Sequence, residues 1–195
     1  MISYLKGDFA SITPSYVIID VGGVGYEVHI SLNTYSTIQD EKKGLLFTHL
    51  IIREDAHLLY GFSDIKEKEI FLLLLGVSGI GANTARMILS YMKPDEVTKA
   101  IMYGDSRALE RIKGIGKKTA ERAVLELKDK VGKLNTDVVL TGETGTVSNI
   151  QQDAIEALLA LGINRQQADA QVAKLLTAEP ELQLEDLIKK VLKGL

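Results

Sequence analysis

Several chemically important residue types are absent or scarce in this sequence of 195 residues. It contains no cysteine, which excludes disulfides, zinc fingers and thiolate nucleophiles. Its three histidines, His29, His49 and His57, are scattered, which argues against a histidine-based metal centre. The longest apolar run, 70–77, is too short to cross a bilayer, and the first residues do not form a secretory signal. These absences predict a cytoplasmic protein with no metal and no membrane anchor.

Apolar residues at 46% and charged residues at 25% are ordinary globular values, but the net charge of −3 is distributed unevenly. Residues 1–62 carry four basic and seven acidic side chains, and residues 134–195 carry five and nine. Residues 63–133 between them carry fourteen basic and ten acidic side chains. A basic segment between acidic ends indicates a local patch that binds nucleic acid.

Residues 1–62 show the patterns of short β-strands. A β-branched run, a period-two alternation and two further apolar runs occur in succession, at 16–21, 26–30, 45–52 and 58–62. Four or five short strands in about sixty residues suggest a small closed barrel of the OB-fold type. Another small antiparallel sheet remains an alternative at this stage.

Residues 63–133 contain an internal repeat within a helical pattern. A helix is predicted to open at Asp64, and the segment 77–86 (VSGIGANTAR) matches the segment 112–121 (IKGIGKKTAE) at a fixed offset. Five identities within ten positions predict a duplicated supersecondary unit, each copy placing a Gly-Ile-Gly turn between two helices.

Such a turn creates a site for anions. Its glycines permit a tight turn and close approach of a ligand, and unpaired amides at the start of the next helix attract negative charge. Lys117, Lys118 and Thr119 add two charges and a hydroxyl donor in the second copy. Two such sites would grip phosphates without reading bases, and bulk at Gly81 or Gly116 is expected to distort the turns. The alternative is two helical hairpins that only pack together.

The remaining residues predict a linker and a small bundle. Residues 134–148 are rich in Thr, Gly and Asp and lack a helical period, so we interpret them as a flexible linker. Residues 149–195 carry three short apolar stripes, which predict a three-helix bundle near the lower size limit for independent folding.

Two nucleotide-binding motifs are incomplete, so the chain is not expected to hydrolyse ATP. The second turn would need Gly at Arg111 and Ser or Thr at Lys118 to form a P-loop, and the first lacks the third glycine of a dinucleotide fingerprint. Glu54 and Asp55 form a carboxylate pair without an accompanying nucleophile set, which by itself indicates a solvated hairpin tip.

The whole chain resembles the RuvA family, the Holliday-junction-binding subunits of the bacterial branch-migration complex. The resemblance rests on Arg53-Glu-Asp-Ala, on 59–62 (LYGF), on 113–122 (KGIGKKTAER) and on 157–162 (ALLALG). It implies an OB-fold barrel over 1–62, a tandem helix-hairpin-helix domain over 63–133 and a three-helix bundle over 149–195. It also implies a homotetramer, single or paired, that holds a four-way DNA junction open during recombination and repair.

The resemblance further implies partners and sites. The bundle would contact RuvB, a hexameric ATPase, and a resolvase, RuvC, would join the complex; this chain would use no cofactor, since the motor binds the ATP. Glu54 and Asp55 would form an acidic pin near the four-fold axis. The motor-binding candidates are Leu158, Leu161, Gly162 and Ile163. The DNA-binding candidates are Gly79, Ile80, Gly81, Asn83, Thr84, Gly114, Ile115, Gly116, Lys117, Lys118, Thr119 and Arg122. Asn83 stands where the family often has a lysine.

Two other classes of function remain possible on the sequence. A helix-hairpin-helix DNA glycosylase would use Lys118 as its catalytic lysine and Asp137 as its aspartate, although the chain has no Trp and few aromatics for a base pocket. A protein adaptor would use the barrel and the bundle only for docking.

Overall fold

The computed structural model describes residues 1–139, 150–179 and 182–194. The chain divides into two compact units, with the boundary near residue 140. In the first unit a β-barrel is followed by a helical domain, and the second unit is helical. Among the described residues, no helix combines the length and the apolar character needed to cross a membrane.

The first unit begins with a closed five-stranded barrel, as the sequence predicts. The strands follow one another around the barrel in the order β1-β2-β3-β5-β4, with β4 paired back to β1. Only the pairing of β3 with β5 is parallel. The elements are β1 (Tyr4–Ile12), β2 (Tyr16–Val21), β3 (Val24–Ile30), α1 (Leu32–Ile38), β4 (Lys43–Ile52) and β5 (His57–Phe62).

The alternation of apolar side chains explains the barrel interior. Val17 and Ile19 on β2 and Val28 and Ile30 on β3 are buried, because every second side chain of a strand points to the same face. The sequence patterns missed β1 and the short helix α1. The latter starts at Ser31, whose hydroxyl accepts a hydrogen bond from the amide of Thr34.

The helical domain shares its core with the barrel. Tyr60 and Phe62 at the end of β5 are buried among the helices, and their ring centroids lie 5.2 and 4.9 Å from that of Phe71. The predicted boundary after residue 62 therefore falls inside one compact unit. The helices are α2 (Ile65–Leu75), α3 (Ala82–Tyr91), α4 (Pro94–Met102), α5 (Ser106–Glu110) and α6 (Lys117–Val139).

Helix α6 corrects the predicted linker over 134–148. It continues to Val139, so residues 134–139 are helical, while residues 140–148 lie outside the described part of the chain. Extending an existing helix adds one hydrogen bond per ordered residue, and no proline interrupts this stretch. The lack of a periodic apolar pattern in 134–139 therefore did not mean that the helix ends before these residues.

The second unit contains the predicted three helices, α7 (Ile150–Ala160), α8 (Arg165–Ala178) and α9 (Leu184–Lys193). Each contributes to one core, formed by Ala154, Ile155, Leu158, Ala168, Val172, Leu187 and Val191. Gly162 ends α7 at φ 89°, donating its amide to Leu159 O while Ile163 donates to Leu158 O. This paired arrangement satisfies the last carbonyls of the helix.

A buried carboxylate connects α1 to α2 in the first unit. Glu67 on α2 is 2% exposed and accepts hydrogen bonds from the hydroxyls of Ser31 and Thr34, the latter at 2.7 Å. The Thr34 hydroxyl in turn accepts from the amide of Ser63 at 3.1 Å. Desolvation raises the pKa of Glu67, although the two hydroxyl donors partly oppose this effect.

We predict that Glu67 makes stability depend on pH. Because its folded-state pKa is raised, the folded protein holds this proton more tightly than the unfolded chain does. The free energy of unfolding of the parent, minus that of Glu67→Gln, should be largest below the ordinary carboxyl pKa. It should fall as the pH rises through the folded-state pKa and then level off. Urea denaturation of both proteins over a pH series measures this difference. A difference that stays constant or rises would contradict the prediction.

Candidate nucleic-acid interface

The two Gly-Ile-Gly turns have the same backbone geometry. Gly79 and Gly114 both have φ 94°, in the region where a Cβ is strained. The amides of Ile80 and Ile115 donate to the carbonyls three residues before them at 3.0 and 3.1 Å. The repeat thus encodes two copies of one helical hairpin. We name them the first hairpin (α2, 76–81, α3) and the second hairpin (α5, 111–116, α6).

The isoleucines of the two turns anchor the hairpins rather than face solvent. Ile80 is 4% exposed and Ile115 is 5% exposed, and both belong to the core of the helical domain. Their side chains are therefore not accessible to DNA. Burial of these side chains holds each turn against the domain, and a contact of Ile80 and Ile115 with DNA stays a prediction for their backbone alone.

The second glycine of each turn leaves the following helix open at its N-terminus. Gly81 is the N-cap of α3 and offers no side-chain hydrogen bond, and the first helical bond runs from the amide of Ala85 to Gly81 O at 2.9 Å. The amides of residues 82–84 precede that bond. In α6 the corresponding bond joins Ala120 to Gly116 at 3.0 Å, after residues 117–119. Both helix N-termini therefore offer donors to an anion.

Open space in front of these glycines corrects one expectation. A Cβ placed on Gly81 or Gly116 meets no atom within 4 Å, and neither residue has a positive φ. A side chain there would not distort the turn through its Cβ. It would instead occupy the approach to the helix N-terminus, where a phosphate would bind.

The two hairpins lie side by side. A Cβ built on Gly79 would lie 3.4 Å from the hydroxyl oxygen of Thr119. The Arg122 guanidinium donates to Ser78 O at 3.4 Å and lies 4.0 Å from Glu126. Thr119 and Arg122, both predicted to contact DNA, therefore also join the second hairpin to the first.

The charged side chains are concentrated at the second hairpin. Lys113, Lys117 and Lys118 are all exposed at its turn. At the equivalent positions the first hairpin has Ser78, Ala82 and Asn83, which carry no charge. To attract an anion, the first hairpin therefore offers mainly backbone amides. The second hairpin offers the same amides and adds three lysine side chains.

Asn83 contacts the barrel. Its Oδ1 accepts a hydrogen bond from the Tyr60 hydroxyl at 3.3 Å, while the residue as a whole remains exposed. No pattern in the sequence indicated that the buried Tyr60 would support Asn83. The only sequence signal was its position in the segment 59–62 quoted for the resemblance, which does not reveal what the hydroxyl contacts.

The acidic pair lies at the tip of the β4–β5 hairpin. Glu54 and Asp55 are exposed, and the amide of Arg53 donates to Ala56 O at 2.8 Å to close the loop. Their carboxylates project from the barrel into solvent. This position agrees with the solvated tip inferred from the residues and leaves the pin role as a prediction.

The candidate residues on the bundle differ in accessibility. Leu158 is completely buried in the bundle core, so its predicted role as a surface contact is corrected to a packing role. Leu161 is 60% exposed, Gly162 is exposed, and Ile163 is partly buried against the core. Leu161 is therefore the apolar side chain of this set that is available to a partner.

Comparison with known proteins identifies the family. Residues 1–61 match the model of the RuvA N-terminal domain, residues 71–129 match a SAM-like helix-hairpin-helix tandem, and residues 149–195 match the RuvA C-terminal domain. Curated relatives named Holliday junction branch migration complex subunit RuvA cover the full chain. The chain belongs to the RuvA family.

The similarity to individual RuvA proteins extends from end to end. The chain is 46% identical to the protein of Christiangramia forsetii, 45% to that of Flavobacterium psychrophilum and 44% to that of Bacteroides fragilis. In each case the match covers all of this chain and all of the relative. The order of barrel, tandem hairpins and bundle is therefore that of the family.

The geometry also argues against a glycosylase. Lys118 and Asp137 both lie in α6, which is continuous from Lys117 to Val139. At a rise of 1.5 Å per residue, positions this far apart on one helix are separated by about 28 Å. A lysine and an aspartate at that distance do not share an active site.

Among the described residues, no cluster of His, Asp or Glu is arranged to hold a metal ion.

The geometry of the turns predicts unequal effects of alanine at their glycines. Gly79→Ala and Gly114→Ala should each lower the free energy of unfolding by about 1–2 kcal/mol, because a Cβ is strained at φ 94°. Gly81→Ala and Gly116→Ala meet open space and should lower it by less than about 1 kcal/mol. Urea denaturation of the four variants tests the difference. Equal losses at all four positions would show that the backbone conformation does not control the cost.

Proposed function

We propose that this chain binds four-way DNA junctions through their phosphates, without reading the base sequence, as the DNA-binding subunit of a branch-migration complex. One observation carries the proposal: the same hydrogen-bonded turn occurs twice, side by side, and each copy leaves a helix N-terminus open. The names of the full-length RuvA relatives support the assignment to Holliday junctions.

The interface contacts the backbone and not the bases. Helix N-termini and lysines at the turns match phosphate oxygens, which carry no sequence information. The turns, and not the faces of the helices, would meet the DNA, so the helices would not enter a groove. Binding is accordingly independent of sequence, and specificity arises from the shape of the junction.

The assembly proposed for this chain is a homotetramer, single or paired, with four-fold symmetry. Four copies would place eight paired-hairpin turns around one junction, so that each arm meets two of them. The Glu54 and Asp55 tips would then lie near the crossover. Their negative charges would repel phosphates from the centre and keep the strands apart, which favours an open junction.

The bundle is proposed to recruit the RuvB ATPase, with Leu161 as an exposed apolar contact. It has its own core and forms a separate compact unit, which is what a docking module requires. ATP would be bound by that motor, and this chain would need no cofactor. RuvC, a resolvase, is proposed as a further component of the complex, acting on the held junction.

A competition experiment tests the proposal. A labelled four-way junction is challenged with unlabelled linear duplex of the same sequences, and the protein should retain the junction at a large excess of duplex. Lys117→Ala with Lys118→Ala should make the plot of log affinity against log salt less steep by about two for each bound subunit, because each lost phosphate contact removes about one counterion.

A matched control removes two lysines from the bundle. Lys174→Ala with Lys193→Ala makes the same change in charge at exposed positions, and the salt slope should remain that of the parent. Equal competition by duplex and junction would contradict the proposed function. An unchanged slope in the Lys117 and Lys118 variant would remove these two lysines from the interface.

Neutralising the acidic tip should reduce selectivity. We expect Glu54→Gln with Asp55→Asn to bind linear duplex more tightly than the parent does and to retain junction binding. A continuous duplex must pass the centre, so it gains most when the repulsion is removed. The gain should shrink as added salt screens the charges. Affinities of both DNAs at several salt concentrations measure the effect.

The exposed pair Asp40 and Glu41 provides the control for this change. Asp40→Asn with Glu41→Gln alters the net charge by the same amount at a different loop of the barrel unit. It should leave the selectivity unchanged. The pin assignment fails if the Glu54 and Asp55 variant binds duplex no better, or if it loses junction binding.

A further inference from the structure

The two hairpins have the same turn but different surroundings. Three side chains along one face of α3 contact the barrel or α1, and these are Asn83, Arg86 and Ser90. The fixed offset of the repeat places Lys118, Glu121 and Leu125 at the same positions of α6, and all three are exposed. The first hairpin is therefore attached to the barrel along a face that the second hairpin leaves uncovered.

Arg86 makes the central contact of this attachment. Its Nη1 donates to Ser15 O at 2.8 Å and to Ile30 O at 3.5 Å. These carbonyls lie just before β2 and at the end of β3, where the amide of Ile30 also donates to Ser15 O at 3.1 Å. One guanidinium thus joins the middle of α3 to two adjacent strands of the barrel, as a planar group with several donors can.

Contacts at both ends of α3 reinforce this position. At the start, the Tyr60 hydroxyl donates to Asn83. At the end, the Asn33 side-chain amide donates to Leu89 O and, at 3.0 Å, to Met92 O, which satisfies terminal carbonyls of the helix. The amide of Leu32 donates to the Ser90 hydroxyl at 3.1 Å. Helix α3 is therefore attached at its first, middle and last turns.

The contacts then continue to the second hairpin. Just before α3, Ser78 O accepts a hydrogen bond from Arg122 of α6, and a Cβ on Gly79 would meet Thr119. The barrel orients α3, and the first hairpin in turn contacts the second. A variant in which α3 moves relative to the barrel would therefore also change the direction of both open helix N-termini.

We propose that Arg86 is a positioning residue that fixes the first hairpin to the barrel and does not bind DNA. The inference rests on the proposed function only for its effect on DNA. A junction must meet several hairpins at once, whereas a short duplex can be held by fewer. Loss of the orientation should therefore weaken junction binding more than duplex binding.

The choice of substitutions separates a positioning role from a phosphate contact. Lysine keeps the positive charge but lacks the planar fork that joins two carbonyls. If Arg86 positions the hairpin, Arg86→Lys and Arg86→Gln should both weaken junction binding by about tenfold, the equivalent of one charge-assisted hydrogen bond. Duplex binding should change by less than about threefold. Arg165→Gln on α8 serves as the control for loss of one exposed arginine charge and should change neither.

A second measurement does not use DNA. Amide hydrogen exchange in the free full-length protein should accelerate at the hydrogen-bonded amides of α3, from Ala85 to Met92, in both Arg86 variants and remain at the parent rate within the barrel strands. Tyr60→Phe removes only the contact at the first turn, and it should shift the same amides in the same direction by a smaller factor. This milder change preserves the aromatic packing against Phe71.

The His29 ring reports whether the guanidinium faces the barrel in solution. Burial, followed by the charge of Arg86, lowers the pKa of His29, while Glu27 opposes this effect. Arg86→Gln removes the positive charge, so the pKa of His29 should rise. Titration of the ring by NMR, with the parent and Arg165→Gln beside it, measures this change.

These outcomes separate the inference from the proposed function. Parent-like junction affinity in Arg86→Lys combined with a loss in Arg86→Gln would show that Arg86 acts as a charge on phosphate, and would overturn the inference. Unchanged exchange from Ala85 to Met92 would also overturn it. If the parent itself does not prefer junctions but the variants still loosen these amides, the positioning role stands and the proposed function fails.

Discussion

The positive φ of Gly79 and Gly114 is the constraint on which the functional surface depends. It permits a tight turn in which the intervening isoleucine is buried in the core, and the second glycine has no side chain to cap the first amides of the next helix. A residue with a Cβ would strain this turn at the same position in both copies. The anion site is thus a consequence of backbone geometry, and side-chain charge only augments it.

The duplicated hairpin has diverged because its copies meet different neighbours. In the first copy, Arg86 and Asn83 are used for contacts with the barrel. In the second copy, the equivalent Glu121 and Lys118 are exposed, and a lysine is then available for phosphate. In this chain, Asn83 accepts a hydrogen bond from the Tyr60 hydroxyl, whereas Lys118 at the equivalent position of the second copy is exposed to solvent.

Much of the fold could be predicted from the sequence because its apolar residues and its repeated segment recur at regular spacings. The repeat, the alternation in β2 and β3, and the three stripes of the bundle all predicted elements that the structure contains. The end of α6 was missed because it carries no apolar period, and α1 was missed because a helix of seven residues is too short to establish one. The turn glycines could be identified from the repeat, but burial of Ile80, Ile115 and Leu158 could not, because it depends on tertiary packing.

The contacts of Tyr60, Asn33 and Arg86 mark the limit of sequence reasoning for this site. Each joins residues far apart in the chain, and no local pattern distinguishes such a bond from an exposed polar side chain. Their common result is that α3, and hence the first turn, has a defined direction relative to the barrel. If the barrel forms the assembly, then the helix N-termini of different subunits are aligned by hydrogen bonds made within each subunit. The specificity for a four-armed DNA would then arise from rigidity, since the individual phosphate contacts are the same on any duplex.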